Sequence, residues 1–94
     1  PSERKWLMPI NPESVKIGSL VRVQEGSYFS WEYQKYSHVS FASIGVVLQI
    51  FRYNENSYPF TILGYEFLAE VFIDGHRFID VPNFKLYEVG DENL

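Results

Sequence analysis

The chain has 94 residues, 46 % of them hydrophobic and 21 % charged, with a formal net charge of −4; this suffices for one small core and excludes a disordered tail. Without cysteine, a disulfide framework, a thiolate metal site and a thiol nucleophile are all excluded. The acidic balance excludes whole-surface attraction to nucleic acid, so any such binding must be local.

Eight Phe, seven Tyr and two Trp favour pleated, half-buried surfaces over helix interiors, so a β-rich protein is expected. No run approaches the roughly 18 apolar residues that span a bilayer, and no basic segment followed by an apolar run opens the chain. The expectation is a soluble, untargeted protein without a membrane partner.

Residues 1–16 read as an N-terminal arm and 17–94 as a single β domain. In the arm, Ser2 can cap a helical turn that Pro9 ends. Asn11 as cap, Pro12 at the first helical position and Gly18 as stop predict another turn over 12–16. From Ile17 the period becomes two: Val21 and Val23 point one way, Arg22 and Gln24 the other, giving a first strand over 19–24. Glu25-Gly26-Ser27 breaks it, and 27–43 reads as a long loop holding Tyr28, Phe29, Trp31, Tyr33, Tyr36 and Phe41.

Residues 44–53 are the clearest strand, β-branched and apolar on both faces. Asn54-Glu55-Asn56-Ser57 and Pro59 predict a loop of about a dozen residues. The third strand, 66–73, puts Phe67, Ala69, Val71 and Ile73 on the core face, with Glu66, Leu68, Glu70 and Phe72 opposite. Asp74-Gly75 is a tight hairpin signal, because both residues tolerate positive φ; strand four, 76–82, follows at once. Val81-Pro82-Asn83 turns the chain into a short fifth strand over 84–89.

The segments Ile17-Gly18-Ser19-Leu20-Val21-Arg22-Val23, Ile44-Gly45-Val46-Val47-Leu48 and Val71-Phe72-Ile73-Asp74-Gly75, running on to Val81-Pro82, resemble those of small SH3-like, or Sm-like, barrel proteins of tailed phages, notably cyanophages. The resemblance covers 17–89. It implies an all-β, five-stranded SH3-like (Sm-like) barrel with a short N-terminal helical arm, a cyclic homo-oligomeric ring, and RNA or DNA as partner in the host cytoplasm. The Sm signatures for RNA contact, Asp-x-aromatic-apolar-Asn after strand two and Ile-Arg-Gly near strand four, are absent.

The candidate nucleic-acid-binding residues are the loop aromatics Trp31, Tyr33 and Tyr36 with Lys35, and the strand-end cations Arg22, Arg52, His76 and Arg77. Rings stack bases and cations neutralise phosphates. Two readings stay open: the rings stack single-stranded RNA or DNA, or they cap a thin core and fill a subunit contact. Likewise the arginines either form a basic patch or pair with Glu66, Glu70 and Asp80.

Trp6, Val47, Phe51, Leu68 and Phe72 lie off the expected core and are candidates for an oligomer interface. His38 and His76 lack a second ligand at metal spacing, so neither a metal site nor a cofactor is expected. No triad order, Gly-rich phosphate loop or His-Glu-x-x-His appears. The expectation is a binding module without catalytic residues or a small-molecule substrate; the alternative is a virion connector, decoration or cement protein.

Overall fold

The computed structural model describes residues 9–52 and 66–89. They form seven strands: β1 Leu20–Val23, β2 Gly26–Ser30, β3 Lys35–Val39, β4 Ile44–Arg52, β5 Phe67–Ile73, β6 His76–Pro82 and β7 Leu86–Glu88. A 3-10 turn over Asn83–Lys85 links β6 to β7. All pairings are antiparallel, in the order β3-β2-β6-β5-β4-β1-β7. The sheet curls into a half-barrel.

The all-β expectation holds, with seven strands in place of five. The difference is the segment expected to be a long loop, which is the β2–β3 hairpin. Its turn, Trp31–Gln34, contains no Gly, Pro, Asn or Asp to announce it. Ser30 holds the turn twice, accepting the Gln34 N–H on its carbonyl at 2.8 Å and the Tyr33 N–H on Oγ at 3.2 Å. Gln34 takes the left-handed φ of 55° that closes it.

The helical turn expected over 12–16 is a single β-turn. Asn11 does cap it, its Oδ1 accepting the Glu13 N–H at 3.0 Å and its carbonyl the Ser14 N–H at 2.9 Å. Val15 then enters the core at 2 % exposure, so burying that side chain takes precedence over continuing the helix. The expected turn over 2–8 and Trp6 lie outside the described residues.

The concave face carries the core. Val21 and Val23 of β1, Tyr28 of β2, Val39 of β3, Phe78 and Val81 of β6 and Leu86 of β7 surround Phe67, Ala69, Val71 and Ile73 of β5, the four assigned to the core from the period of two. The Asp74-Gly75 turn has φ values of 51° and 84°, as its primed type requires.

The curl has an identifiable cause. Register shifts occur between Val47 and Gln49 in β4–β5 and between Ala69 and Val71 in β5–β6. In the first, Leu48 is the extra residue; in the second, Ile79 and Asp80 oppose Glu70, with Asp80 at φ 58°. Both bulges therefore flank Glu70. Each bends its strand and raises local twist, so the sheet folds along the line through Leu48, Glu70 and Asp80.

The first bulge also corrects the expected interface. In a regular strand Val47 and Phe51, four residues apart, share a face. The extra residue reverses the alternation: Val47 is fully buried in the core while Phe51 is 58 % exposed. Val47 is thus no interface residue. Leu68 is half-buried and Phe72 exposed on the convex face, as expected of them.

Candidate functional site

The β2–β3 turn and the β5–β6 hairpin meet at one end of the half-barrel, because β2 pairs with β6 through Phe29↔Ile79 and Ser30↔Phe78. The Trp31 N–H then donates to the Arg77 carbonyl at 2.8 Å. This juxtaposition gathers Trp31, Tyr33, Lys35, His76 and Arg77 from sequence positions about forty residues apart.

Alternation sorts them onto two faces. Trp31 and Arg77 lie on the convex face, with the guanidinium 5.9 Å from the Trp31 ring centroid, within cation–π range. Arg77 is also clamped by Glu32: Oε1 accepts its backbone N–H and Oε2 its Nε–H, both at 2.7 Å. These two bonds hold the Glu32 carboxyl below the usual carboxylate range, the backbone N–H contributing most. Glu32 is thus the partner of Arg77, in place of the Glu66, Glu70 or Asp80 considered from sequence; the two residues meet only once the hairpin forms.

On the concave side the Tyr33 ring lies against His76, with centroids 4.4 Å apart and planes at 59°. Lys35 Nζ sits 5.9 Å from the Tyr33 centroid. His76 Nδ1 lies 3.4 Å from Oγ of Ser30, which is completely buried. The two rings form one wall of an open cleft of about 350 Å³. Its floor is apolar, made by Val39, Ile73 and Phe78, and its rim is polar, made by Ser37, His38, Ser40, Ser43 and Asp74. A few polar groups converging over an apolar floor, in a volume near the low end of the roughly 300–1,000 Å³ typical of ligand sites, are what a small planar ligand needs.

The other candidates lie elsewhere. Tyr36, 71 % exposed, packs edge-on against Phe29 across the convex face. Arg22 Nη1 donates to the Ala42 carbonyl at 2.9 Å and braces the turn that carries Ser40 and Ser43. Arg52 donates to the Pro12 carbonyl at 3.3 Å and stands over Phe67. Phe67 begins β5 and Ile73 ends it, so Arg52 is about 20 Å from the cleft at 3.3 Å per residue. The eight candidates therefore do not form one patch. Asp74 was read from the sequence as a turn residue and not as a binding candidate, and the rim serines were not candidates; Ser37 would have been visible as inward-facing had the β2–β3 hairpin been recognised.

Among the described residues no group of three or more His, Cys, Asp or Glu could hold a metal ion, and no helix is long and apolar enough to cross a membrane. Fold and site define an open all-β half-barrel with an aromatic-walled cleft at one end. No protein family, curated protein or solved structure matches the chain.

Proposed function

We propose that this protein is a non-enzymatic module that binds single-stranded RNA or DNA at the Trp31, Tyr33, Lys35, His76 and Arg77 end of the half-barrel. The observation that carries the reading is the pairing of exposed rings with cations: Arg77 beside Trp31 and Lys35 beside Tyr33. Both rings offer a π-face to a base, and Lys35, which pairs with no carboxylate among the described residues, offers a positive charge to the adjoining phosphate, while the charge of Arg77 is balanced by Glu32. The net charge of −4 makes this a local site, one that engages a few nucleotides.

The barrel class proposed is the Sm-like one of tailed phages, acting in the host cytoplasm as a homo-oligomeric ring. With the β2–β3 hairpin set aside, the remaining strands run β6-β5-β4-β1-β7. This is a four-strand meander whose fifth strand returns beside the first, the layout the resemblance implies, and a one-turn break precedes that last strand. The oligomer is supported by Phe51, Phe72, Leu20 and Ile44, all exposed on the convex face, and by the outer edge of β3, which pairs with no further strand among the described residues. The same apolar face favours the second reading, a structural role in a virion.

Fluorescence anisotropy with labelled 12-nucleotide RNA and DNA across a salt series tests the proposal. Binding that weakens with salt and falls roughly 5- to 150-fold in Trp31→Ala, the range of about 1–3 kcal/mol for one stacked base, supports it. No binding at low salt by the folded protein overturns it and leaves the structural role.

A further inference from the structure

The cleft beside the aromatic platform has a composition that narrows the ligand. Its floor, Val39, Ile73 and Phe78, is apolar, and the Tyr33 and His76 rings wall one side, so the part of a ligand that enters is flat and uncharged. Lys35 and Arg77 are not among the lining residues, and of the two lining histidines His38 lies 3.6 Å from Glu25 and His76 packs on the Tyr33 ring, so no lysine or arginine draws a phosphate into the cleft. Asp74 is the one carboxylate of the lining, and among the described residues no cation pairs with it. Its place in the β5–β6 turn, at φ 51°, fixes the backbone from which that carboxylate projects.

A carboxylate only accepts hydrogen bonds, and its two oxygens match two adjacent donors. Among the bases, only guanine presents adjacent donors, N1–H and the N2 amino group, on its Watson–Crick edge. Adenine and cytosine place an acceptor beside their amino group, and uracil flanks its single N–H with two carbonyls. An acceptor set against Asp74 is repelled and leaves both partners unsatisfied. We infer that the cleft is a base pocket selective for guanine, with Asp74 accepting from N1–H and N2–H, the purine lying on the Tyr33 and His76 rings, and the sugar-phosphate turned outward. The inference deepens the nucleic-acid reading and rests on it for its ligand class. The serine hydroxyls of Ser37, Ser40 and Ser43, each donor or acceptor, supply the donor that guanine O6 needs.

The test is a 15N NMR titration of the chain with guanosine, adenosine, cytidine and uridine, which carry no phosphate. The result expected is saturable shifts at the Asp74, His76 and Ser37 amides with guanosine, binding roughly 5- to 150-fold tighter than the other three, as a bidentate base contact confers. Asp74→Asn, which keeps a residue suited to the primed turn, removes that preference, and its retained spectrum elsewhere certifies the fold. Equal shifts with all four nucleosides, no cleft shift with guanosine, or an unchanged preference in Asp74→Asn overturns the inference. Oligonucleotides that bind without base preference and nucleosides that do not bind sink the pocket and leave the broader reading standing. Guanosine in the cleft with no oligonucleotide binding supports the pocket and removes the broader reading.

Discussion

Asn83 is 7 % exposed, and its Oδ1 accepts the N–H groups of Glu66 at 2.7 Å and Phe67 at 3.2 Å. It thereby ties the 3-10 turn before β7 to the start of β5. Asn83→Ala leaves the buried Phe67 N–H without this acceptor, and urea unfolding should show a loss of about 1–3 kcal/mol. Glu32 makes a different contribution, because both it and Arg77 remain partly in contact with water. Its folded-state pKa is lowered by the Arg77 backbone N–H first and the side chain second, so the stabilisation is present above the unfolded pKa and lost as pH falls through the folded one. Thermal unfolding of wild type and Glu32→Gln should differ at neutral pH and converge in acid. A constant gap across that range would show that charge is not what the clamp uses.

At the scale of elements, what could be read in advance depended on whether a local rule decided the structure. β5, β6 and their Asp74-Gly75 turn were legible to within a residue, because strict alternation and a turn with one chemical solution coincide there. β1 was legible for the same reason. The β2–β3 hairpin was not: its turn residues carry no turn signature, and its register is set by Ser30 and by pairing with β6, nearly fifty residues on. The cleft was half legible, since Tyr33 and His76 stood out while its serines and Asp74 acquire meaning only from that pairing. The Val47 face was misread because a bulge leaves no mark in a run that is apolar on both sides. β4 also explains Gly45. A methyl there would lie 2.5 Å from Val71 Cγ1, 2.7 Å from Ile73 Cγ1 and 3.1 Å from the Phe72 carbonyl oxygen. Gly45→Ala should cost about 1–3 kcal/mol in chemical denaturation, whereas an alanine accepted without loss would mean that β4 and β5 slide apart easily.

For the molecule as a whole, the convex face is where the proposed oligomer would form. Phe51 and Phe72, 58 % and 41 % exposed, flank Leu68 on a face that an oligomer would cover. Light scattering of the wild type should give a mass several times that of one chain, and Phe51→Glu combined with Phe72→Lys should lower it to the monomer without altering the far-ultraviolet spectrum. A monomeric wild type would remove the ring from the proposal. The strand order has a further consequence, for synthesis. β1 lies between β4 and β7, and the Ile10 N–H donates to the Leu86 carbonyl at 3.0 Å, so the earliest strand waits for the latest before its second side is covered. Such non-local pairing makes for slow folding that cannot proceed piecemeal on the ribosome. A nascent chain stopped before Leu86 therefore holds Val21 and Val23 beside an open edge, and it is at this stage, more than in the finished fold, that the chain is exposed to mispairing.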